Sequence, residues 1–166
     1  MLTKKVETAI NAQVAAEFYA AHLYLSMAAF FEVASLPGFA KWMRMQHQEE
    51  MAHGMRLFDF VLNNGGVVTL SGVKQPPTTF TGPLQVMALA LKHEKSVTAS
   101  INKLYELALK EKDYPTQVEM QWFINEQTEE ERTFSDNIAR LKLAGDNGAA
   151  LLMIDSEFGT RSTAAI

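Results

Sequence analysis

The stretch VVTLSGVKQPPTTFTG, Val67 to Gly82, decides the fold. Two glycines and a Pro-Pro pair make it irregular or extended chain rather than helix. On both sides of it apolar residues return at spacings of three and four, the period of an amphipathic helix. From Gly65 to Gly82 the segment can extend to about 55 to 60 Å, whereas a helix of about 27 residues is roughly 40 Å long. It can therefore run the full length of the helices it joins. That makes the second and third helices parallel and gives an all-α, four-helix bundle with one long crossover.

Working outward, Ile10, Val14, Ala21, Tyr24, Ala28 and Phe31 mark a first helix from about Thr3 to Ala34, with no proline or glycine inside it. SLPG at Ser35 to Gly38 breaks it, and a second helix runs from about Phe39 to Asn64 until Gly65 and Gly66 stop it. So short a gap makes the first two helices antiparallel neighbours. Beyond the crossover, a third helix is expected from about Pro83 to Lys112. A fourth follows from about Pro115 to Ala144, with Asp113 and Pro115 as start signals and Gly145 as the stop. The bundle thus covers residues 3–144, the crossover 65–82, and GAALLMIDSEFG, Gly148 to Gly159, forms a short fifth helix whose apolar residues need a partner surface. The 166 residues, 48% hydrophobic, fit one domain with a real core.

Composition removes several function classes. A net charge of -4 with scattered Lys and Arg gives no nucleic-acid footprint. Cysteine is absent, so a metal would have to be held by carboxylate, imidazole or amide groups. The opening MLTKKVETAI lacks the apolar run of a signal peptide. No stretch reaches the roughly 18 uncharged apolar residues of a membrane span. A cytoplasmic protein without a membrane partner is the expectation.

Function is legible where the apolar seams fail. Extended in threes and fours, they read Ile10, Val14, Glu17, Ala21, Tyr24 on the first helix and Phe39, Met43, Gln46, Glu50, His53, Leu57 on the second. The third reads Met87, Ala90, Glu94, Val97, Ile101, and the fourth Met120, Phe123, Gln127, Glu130, Phe134. Each seam is interrupted by acid near mid-helix, and the depths agree. Glu17 pairs with Glu94, Glu50 with Gln127 and His53 with Glu130 at one offset of 77 residues; Glu49 pairs with Glu126 at the same offset. Two hairpins related by a pseudo-two-fold axis would bring six residues to one level of the core. Four carboxylates there would repel one another and cost several kcal/mol each if left unpaired. No Lys or Arg stands on these seams, so either the acids are protonated or divalent cations sit between them. Glu50 and Glu130 are well placed to bridge.

At these residues the chain resembles the ferritins, specifically the bacterial non-haem type, over essentially its whole length. Glu17, QEEMAH with Glu50 and His53, Glu94, and NEQTEEE with Gln127 and Glu130 match that family's ferroxidase positions in type and spacing. Ferritin-like di-iron bundles are themselves the standard example of this arrangement, so the match is a resemblance rather than an independent derivation. It implies a homo-oligomer, a hollow 24-subunit shell, that takes up Fe(II), oxidises it with O2 or H2O2 and stores Fe(III) mineral. It makes Glu17 and His53 ligands of a first iron, Glu94 and Glu130 ligands of a second, and Glu50 the bridge. Gln127 becomes a weaker ligand or a hydrogen-bond partner of bound oxygen. Tyr24, on the seam of Glu17, becomes a residue that donates an electron or orders the site. Glu49, Glu126 and Glu129, with Glu130 shared, match the acids of a third iron site.

Haem-binding bacterioferritins are the related alternative. There the fourth helix is expected to carry a second Glu-x-x-His, whereas this chain has Gln127-x-x-Glu130, which points away from haem. Met51 is the residue that keeps that alternative open, since it matches the position of their haem-ligating methionine. A peroxide-scavenging relative of rubrerythrin would need a cysteine-bound iron that this chain cannot supply. A metal-free structural bundle is the remaining alternative. Read as residues alone, Glu49, Glu126 and Glu129 also fit a solvated helix face, Tyr24 and Trp122 fit packing, and His22, His47 and His93 fit surface or packing roles.

Overall fold

The computed structural model describes residues 2–161. Five helices follow one another: α1 Lys4–Val33, α2 Pro37–Asn63, α3 Pro83–Lys110, α4 Tyr114–Ala144 and α5 Gly148–Phe158. Their starts are set by local chemistry. Asp113 Oδ1 accepts from Thr116 N at 3.1 Å and Asn147 Oδ1 from Ala150 N at 3.1 Å, which satisfies amides that have no partner within the helix. Pro37, Pro83 and Pro115 stand in first turns, where the missing N–H removes nothing. Both hairpin turns use a residue in the left-handed region, Ser35 at φ 58° and Lys112 at φ 55°, so the two halves turn alike.

The crossover behaves as its length predicts. Val67 N donates to Glu7 Oε2 at 3.1 Å, and Asn11 exchanges two bonds with it, donating to Val67 O at 2.9 Å and accepting from Thr69 N at 2.8 Å. Farther on, Ser26 Oγ donates to Pro77 O at 2.6 Å, and Phe80 is buried edge-on to Phe30. Asn11 and Ser26 are 15 positions apart on α1, a rise of roughly 22 Å. The segment therefore runs along α1 from near its start toward its end and delivers α3 parallel to α2. This is a four-helix bundle with one long crossover and a short C-terminal helix.

α1 is long and apolar enough to cross a membrane by length and composition alone. Within the bundle it is instead a core helix, burying Val6, Ile10, Val14, Met27 and Phe31 together with Gln13 and Glu17.

α5 finds much of its partner surface within the same chain, whereas the sequence left that surface open. Phe158 packs against Phe39 with ring centroids 4.7 Å apart and against Trp42 at 5.7 Å. The buried Asp155 accepts from Phe39 N at 2.9 Å. Leu152 and Met153 remain exposed at 61% and 74%. The core as a whole falls into two apolar clusters. One gathers Tyr24, Phe31, Phe39, Met43, Met87 and Phe134; the other gathers Val6, Ile10, Val14, Leu57, Ile101 and Phe123. The polar layer lies between them.

Candidate metal centre

Helix geometry builds this layer. Glu50 and His53 are three apart on α2 and lie on one face. Glu17 reaches the same point from α1, so that one ligand atom from each of Glu17, Glu50 and His53 lies within 4.8 Å of the others. All three are buried, with Glu17 1%, Glu50 2% and His53 7% exposed. Glu94 on α3 and Gln127 on α4 are buried at the same level, and Glu130 stands at its edge. All six residues of the constellation are thus brought to one region. Glu17, Glu50 and His53 form its compact group, while Glu94 and Glu130 are turned to neutral donors.

Of the neutral donors, Tyr24 and Gln127 are site residues that the sequence already marks, whereas Gln13 and Gln46 are not. The Tyr24 hydroxyl donates to Glu94 Oε1, and Gln127 Nε2 donates to Glu94 Oε2 at 3.0 Å. Gln46 Nε2 donates to both oxygens of Glu130, at 3.1 and 3.0 Å. Gln13 Nε2 donates to Glu17 Oε1 at 2.8 Å, and Ser100 Oγ in turn donates to Gln13 Oε1 at 2.5 Å. Gln46 stood on its seam without a role, and Gln13 did not stand out at all. Four residues before a seam acid was the signal that could have found both, since i and i+4 share a helix face.

After these bonds, Glu17 Oε2 and Glu50 Oε1 are still buried without a hydrogen-bond donor among the described residues, and the two carboxyls stand against each other. A buried oxygen left alone forfeits its hydration with nothing in return, and here two point into a cluster that also offers an imidazole. Oxygen donors with one nitrogen suit a divalent ion such as Fe(II) or Zn(II). The chain's own residues therefore fit a metal.

Electrostatics agree. Burial pushes the Glu17 carboxyl up to about 7, against the opposing bond from Gln13. Burial, then the charges of Glu94, Glu17 and Glu130, push Glu50 well above the carboxylate range. Burial and then Glu94 raise Glu130 to about 8, with Gln46 opposing. Burial also raises Glu94, opposed by Tyr24 and Gln127. His53 goes the other way, down to about 4, because burial and then Arg56 disfavour its cation. It is a neutral imidazole at neutral pH, which is the form that ligates. Its ring lies edge-on to Trp122 at 5.4 Å and Phe123 at 5.8 Å, which fixes its plane.

Outside the layer, Glu49, Glu126 and Glu129 line one cleft of about 560 Å3 with His53, Glu130, Arg56 and Arg161. Glu49 thus faces away from Glu50's cluster yet opens beside it. Burial, then the charges of Glu129 and Glu49, raise the Glu126 carboxyl. Trp122 forms the cleft wall, with the Arg56 guanidinium 3.9 Å above its ring. His47 and His22 each place Nδ1 against a backbone carbonyl, of Ala21 and Phe18, and His93 packs on Tyr19. Met51 is half-buried on α2.

A four-helix bundle with one long crossover, whose core is split by carboxylates and an imidazole, defines a metal-carrying helical bundle. The chain belongs to the ferritin family: the ferritin-like domain matches residues 7–144. It is 38% identical to a bacterial non-haem ferritin of Bacteroides fragilis over 161 residues, covering 97% of this chain and 100% of that one. It is 37% identical to the bacterial non-haem ferritin of Staphylococcus saprophyticus over 162 residues, 98% of this chain and 97% of the other. Among solved structures it is similar to an open-pore ferritin from the hyperthermophilic archaeon Archaeoglobus fulgidus. That likeness has a TM-score of 0.96 at 43% identity and covers 97% of this chain and 98% of that one. An engineered closed form of the same archaeal ferritin gives 0.97 at 43% identity, over 99% and 100%. These likenesses support iron storage as the general role.

Proposed function

We propose that the protein is an iron-storing ferroxidase whose 166 residues act as one domain. Two Fe(II) ions are its substrates at the buried layer. Glu17 and His53 hold the first, Glu94 and Glu130 the second, Glu50 bridges them, and Gln127 is a weaker ligand beside the second. Each Fe(II) gives up one electron, and O2 or H2O2 accepts the two together. Carboxylate-rich ligation favours Fe(III) over Fe(II) and so supports the oxidation. Cation binding displaces protons from Glu17 and Glu130, whose carboxyls are otherwise held protonated up to about 7 and about 8. Tyr24 orders Glu94 through its hydroxyl, and electron donation is the alternative role for it. Glu49, Glu126 and Glu129, with Glu130 shared, form a third site in the outer cleft that passes Fe(III) onward to mineral.

The chain works in a homo-oligomeric, cytoplasmic shell of 24 subunits, and the likeness to solved ferritins supports the homo-oligomeric part of that reading. The observation that carries the reading is the pair of buried oxygens on Glu17 and Glu50 without a hydrogen-bond donor among the described residues, beside a neutral His53. Anaerobic Fe(II) titration tests it, with saturation expected near two or three irons per chain; a chain that binds none is a structural bundle. Glu50→Ala with His53→Ala is expected to abolish rapid Fe(II) oxidation while the particle still assembles by gel filtration. Unchanged initial rates would contradict the assignment.

A further inference from the structure

Arg161 follows the C-terminal turn of α5 and reaches back across α2. Its guanidinium lies 4.7 Å from the Trp42 ring centroid. Nη1 donates to Gln46 Oε1 at 2.6 Å, and Nη2 donates to both oxygens of Glu49, at 3.0 and 2.9 Å. Trp42, Gln46 and Glu49 lie at i, i+4 and i+7 on one face of α2, so the guanidinium has three anchors in a row. The pair is more than a loose surface contact, with the side chains of Arg161 and Glu49 only 27% and 17% exposed.

Two consequences follow from that placement. Both Glu49 oxygens accept from Arg161, so a divalent ion that takes Glu49 as a ligand competes with a positive charge that also repels it. In addition, Arg161 claims the carbonyl end of the Gln46 amide, which turns the NH2 end onto both oxygens of Glu130. The same guanidinium thus touches the outer cleft directly and the buried layer through one side chain. Arg56, the other cation lining this cleft, is held by Glu119 and stacked on Trp122.

We propose that Arg161 is a resident counter-cation of the outer acidic cleft, which a divalent ion must displace from Glu49, and that through Gln46 it positions Glu130. This rests on the reading of Glu49, Glu126 and Glu129 as an ion site. Emptying or filling that site would then reset Glu130, coupling the outer cleft to the buried pair.

Calorimetric titration of assembled protein with Zn(II), which undergoes no redox change, tests the proposal in a Glu50→Ala/His53→Ala background that takes the bridge and the imidazole out of the buried layer. Arg161→Ala in that background is expected to tighten, or to unmask, the outer binding by about tenfold, within the range of coupled sites. Arg161→Lys should fall between the two, since it keeps the charge but loses the fork. Outer binding that is equal or weaker in Arg161→Ala overturns the proposal, whereas no outer binding in either protein overturns the reading of Glu49, Glu126 and Glu129 as an ion site on which it rests.

A second readout uses Trp42, which becomes the sole tryptophan in Trp122→Phe. Zn(II) should shift Trp42 emission in Trp122→Phe as the guanidinium leaves, and leave it unchanged in Trp122→Phe/Arg161→Ala. Equal shifts in both would overturn the displacement. The ferroxidase reading fails separately, if the Glu50→Ala/His53→Ala background binds as much Zn(II) as wild type.

Discussion

Replacing Glu17 by glutamine separates what the buried layer does to stability from what it does for metal. Glu17 is 1% exposed; one oxygen accepts from Gln13, and the other has no hydrogen-bond donor among the described residues. Burial raises its carboxyl from 4.5 to about 7. In the unfolded chain it ionises at its ordinary value. Between the two values the folded protein keeps a proton that the unfolded chain has released, so stability falls as pH rises through that window and levels off above it. At about 1.4 kcal/mol per pKa unit, the loss between about pH 5 and about pH 8 amounts to about 2 to 3 kcal/mol. The amide introduced by Glu17→Gln has no such titration.

The assay is urea denaturation of metal-free protein in chelator at the two pH values, at matched subunit concentration because assembly is coupled to stability. Wild type is expected to lose about 2 to 3 kcal/mol more than Glu17→Gln on going from the lower to the higher pH. Saturating Zn(II) should reverse the advantage, because the variant gives up an anionic ligand and gains less from the ion. Parallel losses in the two metal-free proteins would refute the reasoning, since they would mean that Glu17 is already ionised in the fold.

Two further outcomes follow. A Cβ at Gly38 would lie 1.7 Å from the carbonyl oxygen of Asp155, so Gly38→Ala must push α5 off α2; about 2 to 4 kcal/mol of stability should be lost, and an unchanged denaturation midpoint would count against the close approach. Glu126→Ala should change the number of irons bound and the turnover after the first oxidation while sparing the first fast phase in stopped flow; loss of that phase would argue against a separate outer site.

The crossover, the four long helices and the acids were legible because each rests on a local pattern. Length against helix rise fixed the path from Gly65 to Gly82, and the 77-residue offset fixed the common depth of Glu17 with Glu94 and of Glu50 with Gln127. Arg161 was not legible. It lies past the last helix with no periodicity to orient it, and its partners Trp42, Gln46 and Glu49 are more than 100 positions away. The inward face of α5 was hidden for a related reason: Gly38 and Asp155 meet across two helices, and a glycine in a first turn reads simply as a break.

The donors within the layer explain why the acids can be built into the fold at all. Gln13 serves Glu17, Tyr24 and Gln127 serve Glu94, and Gln46 serves Glu130. All four are neutral. They orient carboxylates and satisfy oxygens without cancelling charge, whereas a Lys or Arg at any of these places would stabilise the empty cluster by filling it. Glu50 has the least support, with one oxygen lacking a hydrogen-bond donor among the described residues and the other 3.6 Å from His53 Nδ1. It also carries the repulsion of Glu94, Glu17 and Glu130. The residue that the empty protein supports least is the one proposed to bridge two ions, and that is where a cation would relieve the most unfavourable energy. The only guanidinium bonded to this network among the described residues, that of Arg161, stops at Gln46 and Glu49, on the outer side of the layer.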